Sequence, residues 1–133
     1  MAGERFSVAS LELQLQARAE FVPVLRERVR IWLEDSGTSK RDTFEVLLAT
    51  TEAFTNAVEH PFEPTSRLVD VEGSITDQTI TVAIRDYGTW QRERTPKKEG
   101  GVGLMIMETL MDVRVECLTD GTTVTMRRRV AMH

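Results

Sequence analysis

Two short connections constrain this fold more than any other feature. Leu68 to Ile75 and Thr79 to Arg85 are strand-like runs joined only by Thr76, Asp77 and Gln78. Val113 to Leu118 and Thr122 to Val130 are strand-like runs joined across the turn signal Asp120-Gly121. Links this short return the chain antiparallel to itself, because a parallel pair needs a crossover of a dozen or more residues. An earlier segment alternates Leu11, Leu13 and Leu15 with Glu12, Gln14 and Gln16, the period-2 pattern of a strand with one buried face.

Between these strands the apolar period changes to that of helices. Val22, Leu25, Val29, Trp32 and Leu33 recur at helical spacing; Pro23 suits the first turn and Gly37 ends the helix. Ser39 starts a second helix, with Asp42 three residues on as a capping-box-like partner. That helix runs to about Glu59, is stopped by Pro61, and has Phe44, Leu47, Leu48, Ala49, Phe54 and Val58 as its apolar set. Pro61 to Arg67 reads as a loop. Thr89 to Gly100 reads as a polar loop of a dozen residues, long enough to act as a lid. Gly101-Val102-Gly103 opens a third helix, Leu104 to Met111. The order β-α-α-β-β-α-β-β predicts an α/β two-layer sandwich: a mostly antiparallel mixed sheet covered on one face by three helices.

The chain of 133 residues suits a single domain over 1–133, and its ending, Arg-Arg-Arg-Val-Ala-Met-His, is also compatible with excision from a longer protein. A single cysteine, Cys117, excludes an internal disulfide; it reads as a buried strand residue in a cytoplasmic protein. The net charge of −4 argues against nucleic acid as a partner, and Arg127, Arg128 and Arg129 read as a solvated strand end. No apolar run has the length of a membrane span, and no signal peptide is expected.

Four patterns carry chemistry. Glu52, Asn56 and His60 are spaced by four and share one face of the second helix. A carboxylate and an amide carbonyl are hard oxygen ligands of the kind magnesium accepts, and the carboxylate can take a proton from a hydroxyl. Asp86-Tyr87-Gly88 ends an apolar strand, so the Asp86 carboxylate can accept a hydrogen bond from an exocyclic amine such as adenine's, and Gly88 lets a flat base approach. Gly100-Gly101-Val102-Gly103 precedes a helix, where backbone N–H groups and the helix dipole favour phosphate, and Lys97 and Lys98 lie just upstream. Gly121-Thr122-Thr123 can place a hydroxyl near Asp86. Singly, each has a plain structural reading: a polar helix face, an Asp-x-Gly turn, a flexible helix entry, a β-favouring turn exit.

Taken in order, the four resemble the Bergerat-fold (GHKL) ATPases. Glu52-Ala-Phe-Thr-Asn56-Ala-Val-Glu-His60 looks like the N box, Asp86-x-Gly88 and Gly101-x-Gly103 like the two glycine boxes, and Gly121-Thr122 like the closing Gly-Thr element. The stretch from Gly103 to Asp112 is similar to one branch, the anti-sigma-factor serine kinases, and the resemblance spans about residues 10 to 130. It implies Mg-ATP between helix and lid. Asn56 would coordinate magnesium, Glu52 would be the general base toward a serine hydroxyl, and His60 would be auxiliary. Asp86 would hold the adenine amine beside Gly88, supported by Thr122, and Gly101 and Gly103 would let backbone amides meet the phosphates. Lys97 and Lys98 upstream, and Val102 and Leu104 within the turn, complete the candidate nucleotide contacts. The implied partners are a sigma factor and a STAS-fold anti-anti-sigma protein phosphorylated on serine, with the kinase as a homodimer. Two departures stand out: Trp90 occupies the place of a further glycine, and the lid is short. They leave open a nucleotide-gated partner-binding module with little kinase activity.

Overall fold

The computed structural model of the chain describes residues 10–59, 67–88 and 101–130. Strand β1 (Ser10–Gln16) leads through a 3-10 turn into helices α1 (Val22–Asp35) and α2 (Lys40–Glu59). The hairpin β2 (Leu68–Thr76) and β3 (Thr79–Asp86) follows, then α3 (Gly101–Leu110) and a second hairpin, β4 (Asp112–Leu118) and β5 (Gly121–Arg129). The five strands form one sheet in the order β1-β2-β3-β5-β4, and every pairing among the described strands is antiparallel. The α/β sandwich expected from the sequence is the fold observed.

Strand alternation decides which sheet face the helices cover. Val69 and Val71 of β2, Ile80, Val82 and Ile84 of β3 and Met126 of β5 are buried toward the helical layer. Leu25, Val29 and Leu33 of α1, Val46, Ala49 and Phe54 of α2 and Met107 of α3 complete one core. In the β2–β3 hairpin Asp77 and Gln78 both take positive φ, 52° and 61°, the backbone of a two-residue turn whose twist matches that of the strands. Helix α1 ends in paired closing bonds, Thr38 N–H to the Leu33 carbonyl and Gly37 N–H to the Glu34 carbonyl, both 3.1 Å. Gly37 carries the φ of 85° that this ending requires. Ser39 caps α2 as expected: the Asp42 N–H donates to its hydroxyl, and that hydroxyl donates back to the Asp42 carboxylate, each at 3.1 Å.

Four expectations are corrected. The buried stripe of α2 is Thr43, Val46, Leu47, Ala49, Thr50, Ala53, Phe54 and Ala57, so Phe44 falls on the far side of the helix and is 65% exposed. Its aromatic ring suggested a core position, but two threonines hold the seam instead. Cys117 is exposed, because it lies on edge strand β4. Arg128 is half-buried and ion-paired rather than solvated. Gly121 belongs to β5, opposite Leu118, and leaves Thr119 and Asp120 as the turn. Residues 61–66, Trp90, the lid expected over Thr89 to Gly100, and the chain ends lie outside the described residues.

Candidate functional site

Helix α2 presents Glu52 and Asn56 one residue before the buried Ala53 and Ala57. Both therefore sit at the margin of the core, half-buried, one turn apart. What faces them is the first turn of α3. Gly103 is buried, and a Cβ built on it would stand 3.0 Å from Glu52 Oε1 and 3.5 Å from both Asn56 Oδ1 and Nδ2. The structure thus brings together two patterns lying far apart in the sequence, and the smallest side chain occupies the point of contact.

The sequence boundary of α3 shifts in an informative direction. The helix starts at Gly101, not after Gly103, so Gly101, Val102, Gly103 and Leu104 form its first turn. The first four N–H groups of a helix have no acceptor within it and carry its partial positive charge. Val102 and Leu104 are exposed, and what they offer beside Gly103 is backbone N–H.

A second cluster lies at the last rung of the β3–β5 ladder, where Asp86 is opposite Thr122. Alternation puts Asp86 on the same sheet face as Ile84 and Val82, under the helices. Its carboxylate accepts the N–H of Gly88 at 3.0 Å, and the backbone N–H of Thr122 lies close enough to favour its charged form. Burial pushes the Asp86 carboxyl above the usual aspartate range, against the two N–H groups and the nearby Arg85 charge, which act to lower it. Gly121 is forced by crowding: a Cβ there would lie 2.3 Å from the Asp86 carbonyl oxygen.

Sequence reasoning passed over Tyr87. Its hydroxyl donates to Asp70 Oδ2, and Asp70 Oδ1 accepts from Gln14 Nε2 at 2.8 Å. The Arg85 guanidinium lies 4.9 Å from the Tyr87 ring centre and 3.4 Å from Asp120. Tyr87 thus anchors the Asp86–Gly88 segment from the outer sheet face. The available signal was alternation, which sends Arg85 and Tyr87 to the face opposite Asp86. His60, Lys97 and Lys98 lie outside the described residues. Among the described residues no group of three or more His, Cys, Asp and Glu is placed to hold a metal ion. Magnesium in nucleotide sites keeps waters and phosphate oxygens and needs only one or two protein oxygens, so the Asn56 carbonyl fits that role.

Residues 15–128 match the family described as the histidine kinase-like ATPase domain. The chain belongs to this family. Within it, the chain is similar to the serine-protein kinase RsbW of Staphylococcus epidermidis, 29% identical with 87% of this chain and 84% of that protein covered. It is also similar to RsbW of Staphylococcus aureus (strain JH9), 26% identical with 90% and 86% covered. Among solved structures, the RsbU and RsbW domains of Rv1364c from Mycobacterium tuberculosis superpose with a TM-score of 0.76 at 26% identity, covering 91% of this chain. The chain spans about a third of that larger neighbour, 32%. These likenesses fall in the RsbW-like branch that the motifs resemble. No helix among the described residues is long and apolar enough to cross a membrane.

Proposed function

We propose that this domain binds Mg-ATP between the Glu52–Asn56 stripe and the first turn of α3 and acts as an anti-sigma factor and protein serine kinase. The supporting observation is the buried Gly103, where any larger side chain would press on Glu52 and Asn56. Asn56 offers its carbonyl to magnesium. The α3 N–H groups face phosphate oxygens, with Lys97 and Lys98 as further candidates. Asp86, held by Gly88 and Thr122, accepts the adenine amine. Bound Mg-ATP supplies the phosphoryl group and the metal charge that offsets phosphate repulsion. Glu52 takes the proton from the hydroxyl of the acceptor serine. The names of the relatives support serine as the acceptor. The partners on this reading are a sigma factor, which is sequestered, and a STAS-fold anti-anti-sigma protein, which is phosphorylated; the kinase works as a homodimer in the cytoplasm, where ATP is.

Trp90, two residues after Gly88 where the family pattern has a further glycine, favours a second reading: a nucleotide-gated binding module with little transfer activity. One pair of variants separates the two. Calorimetric titration of Asn56→Ala with ATP should show loss of magnesium-dependent binding in a folded protein. Glu52→Gln should keep its ATP affinity while transfer to a STAS-fold serine falls by about 10²- to 10⁴-fold. Unchanged transfer in Glu52→Gln removes Glu52 as the base. No transfer by wild type that binds Mg-ATP leaves the binding module.

A further inference from the structure

The candidate site is a gap between two helices, and its width depends on how α3 is held against α2. Gly103 marks one end of that contact. At the other end lies Arg128 of β5. Its Nη2 is 2.7 Å from Asp42 Oδ1 and 2.6 Å from Glu45 Oε1, both in the first turns of α2. Its Nη1 donates to the carbonyl of Leu110, the last residue of α3, at 3.1 Å. The three side chains are only 18%, 15% and 20% exposed. Both carboxylates are also held from their far sides, Asp42 Oδ2 by the Ser39 hydroxyl and Glu45 Oε2 by Arg41 Nε at 3.3 Å. A planar guanidinium can meet three acceptors in fixed directions, and the carbonyls of a last helical turn otherwise lack donors.

We infer that Arg128 is a positioning residue: by tying the C-terminal carbonyl of α3 to the first turns of α2, it sets the gap between Gly103 and the Glu52–Asn56 stripe. The inference rests on the Mg-ATP reading for its functional consequence. From Leu110 to Gly103 the helix is a lever of about 10 Å. A tilt of about 5° about the Leu110 end moves the phosphate-facing turn by about 1 Å. A misplacement of that size can cost about 100-fold in a reaction that depends on alignment.

The test compares Arg128→Met, Arg128→Lys and the triple variant Asp42→Asn/Glu45→Gln/Arg128→Met with Val130→Ala, a core truncation outside this contact. The triple variant removes the clamp without leaving unpaired carboxylates, so it guards against simple unfolding. Each protein is titrated with Mg-ATP at the same interval below its own melting temperature, and amide hydrogen exchange is followed without nucleotide. Arg128→Met and the triple variant should bind about tenfold or more weakly than Val130→Ala, with Arg128→Lys between. Exchange along Val102 to Leu110 should accelerate about tenfold in the same two variants and not in Val130→Ala. Affinity and exchange indistinguishable from Val130→Ala would overturn the inference. Failure of wild type to bind Mg-ATP would instead sink the nucleotide reading, and exchange alone would then decide whether Arg128 holds α3.

Discussion

Gly103→Ala separates what the fold requires from what the site requires. Gly103 lies in the first turn of α3 with helical backbone, so its conformation does not demand glycine. Replacing glycine by alanine within a helix stabilises by up to about 1 kcal/mol. The new methyl would meet Glu52 Oε1 at 3.0 Å and the Asn56 amide at 3.5 Å. Those are the tips of side chains that can move a few tenths of an ångström, so little of that gain is lost. The expected result is a melting temperature unchanged or raised by about 3–5 °C. Nucleotide affinity should move the other way, because the methyl fills the space through which a phosphate oxygen would reach the N–H groups. Losing one such charge-assisted bond costs about 1.5–3 kcal/mol, or roughly 10- to 100-fold in Kd. Scanning calorimetry and Mg-ATP titration on the same preparation read both quantities. Wild-type affinity in Gly103→Ala would refute the placement of phosphate at this turn, and a fall in affinity accompanied by a matching fall in stability would remove the argument that the glycine serves the ligand.

Other expectations concern single groups. Asp86 has a raised pKa in the fold, so the cost of burying its charge is present at neutral pH and is relieved as the pH falls through that value. Relative to Asp86→Asn, wild type should therefore gain stability on acidification while its ATP affinity falls, because the protonated carboxyl is a poorer acceptor. A pH-independent difference in melting temperature between the two proteins would contradict this. Gly73→Ala would drive a Cβ to 2.5 Å from Trp32 Cη2 in the core, and should cost about 1–3 kcal/mol by denaturant unfolding with ATP affinity retained at low temperature. Gly121→Ala meets backbone rather than a side chain, at 2.3 Å from the Asp86 carbonyl oxygen, and should lower both stability and affinity by displacing Asp86; retained affinity would separate the Gly-Thr element from the site.

Much of the candidate site was legible because its signals are local. The spacing of Glu52 and Asn56 places them on one helix face whatever packs on it, and Asp86 closes a strand whose period is plain. Phe44 shows where that logic fails. Its hydrophobicity suggested burial, but the seam of α2 is set by the surface it meets, which accepts Thr43 and Thr50 in preference to an aromatic ring one residue out of phase. Cys117 fails for a related reason: burial depends on which strand lies at the sheet edge, and β5 pairing with β3 leaves β4 outside.

The sequence by itself determined the elements, the antiparallel pairing within both hairpins and the residue types available for nucleotide chemistry. These follow from turn length and periodicity, which act over a few residues. The tertiary structure alone decided that Gly103 abuts Glu52 and Asn56, that the Thr122 N–H reaches the Asp86 carboxylate, and that Arg128 joins Asp42, Glu45 and Leu110. All but the Arg128–Leu110 bond, which spans 18 positions, link residues more than thirty positions apart in the chain. Such contacts exist only once the helical layer has settled on the sheet, because a shared core, not local spacing, fixes the distance between helices.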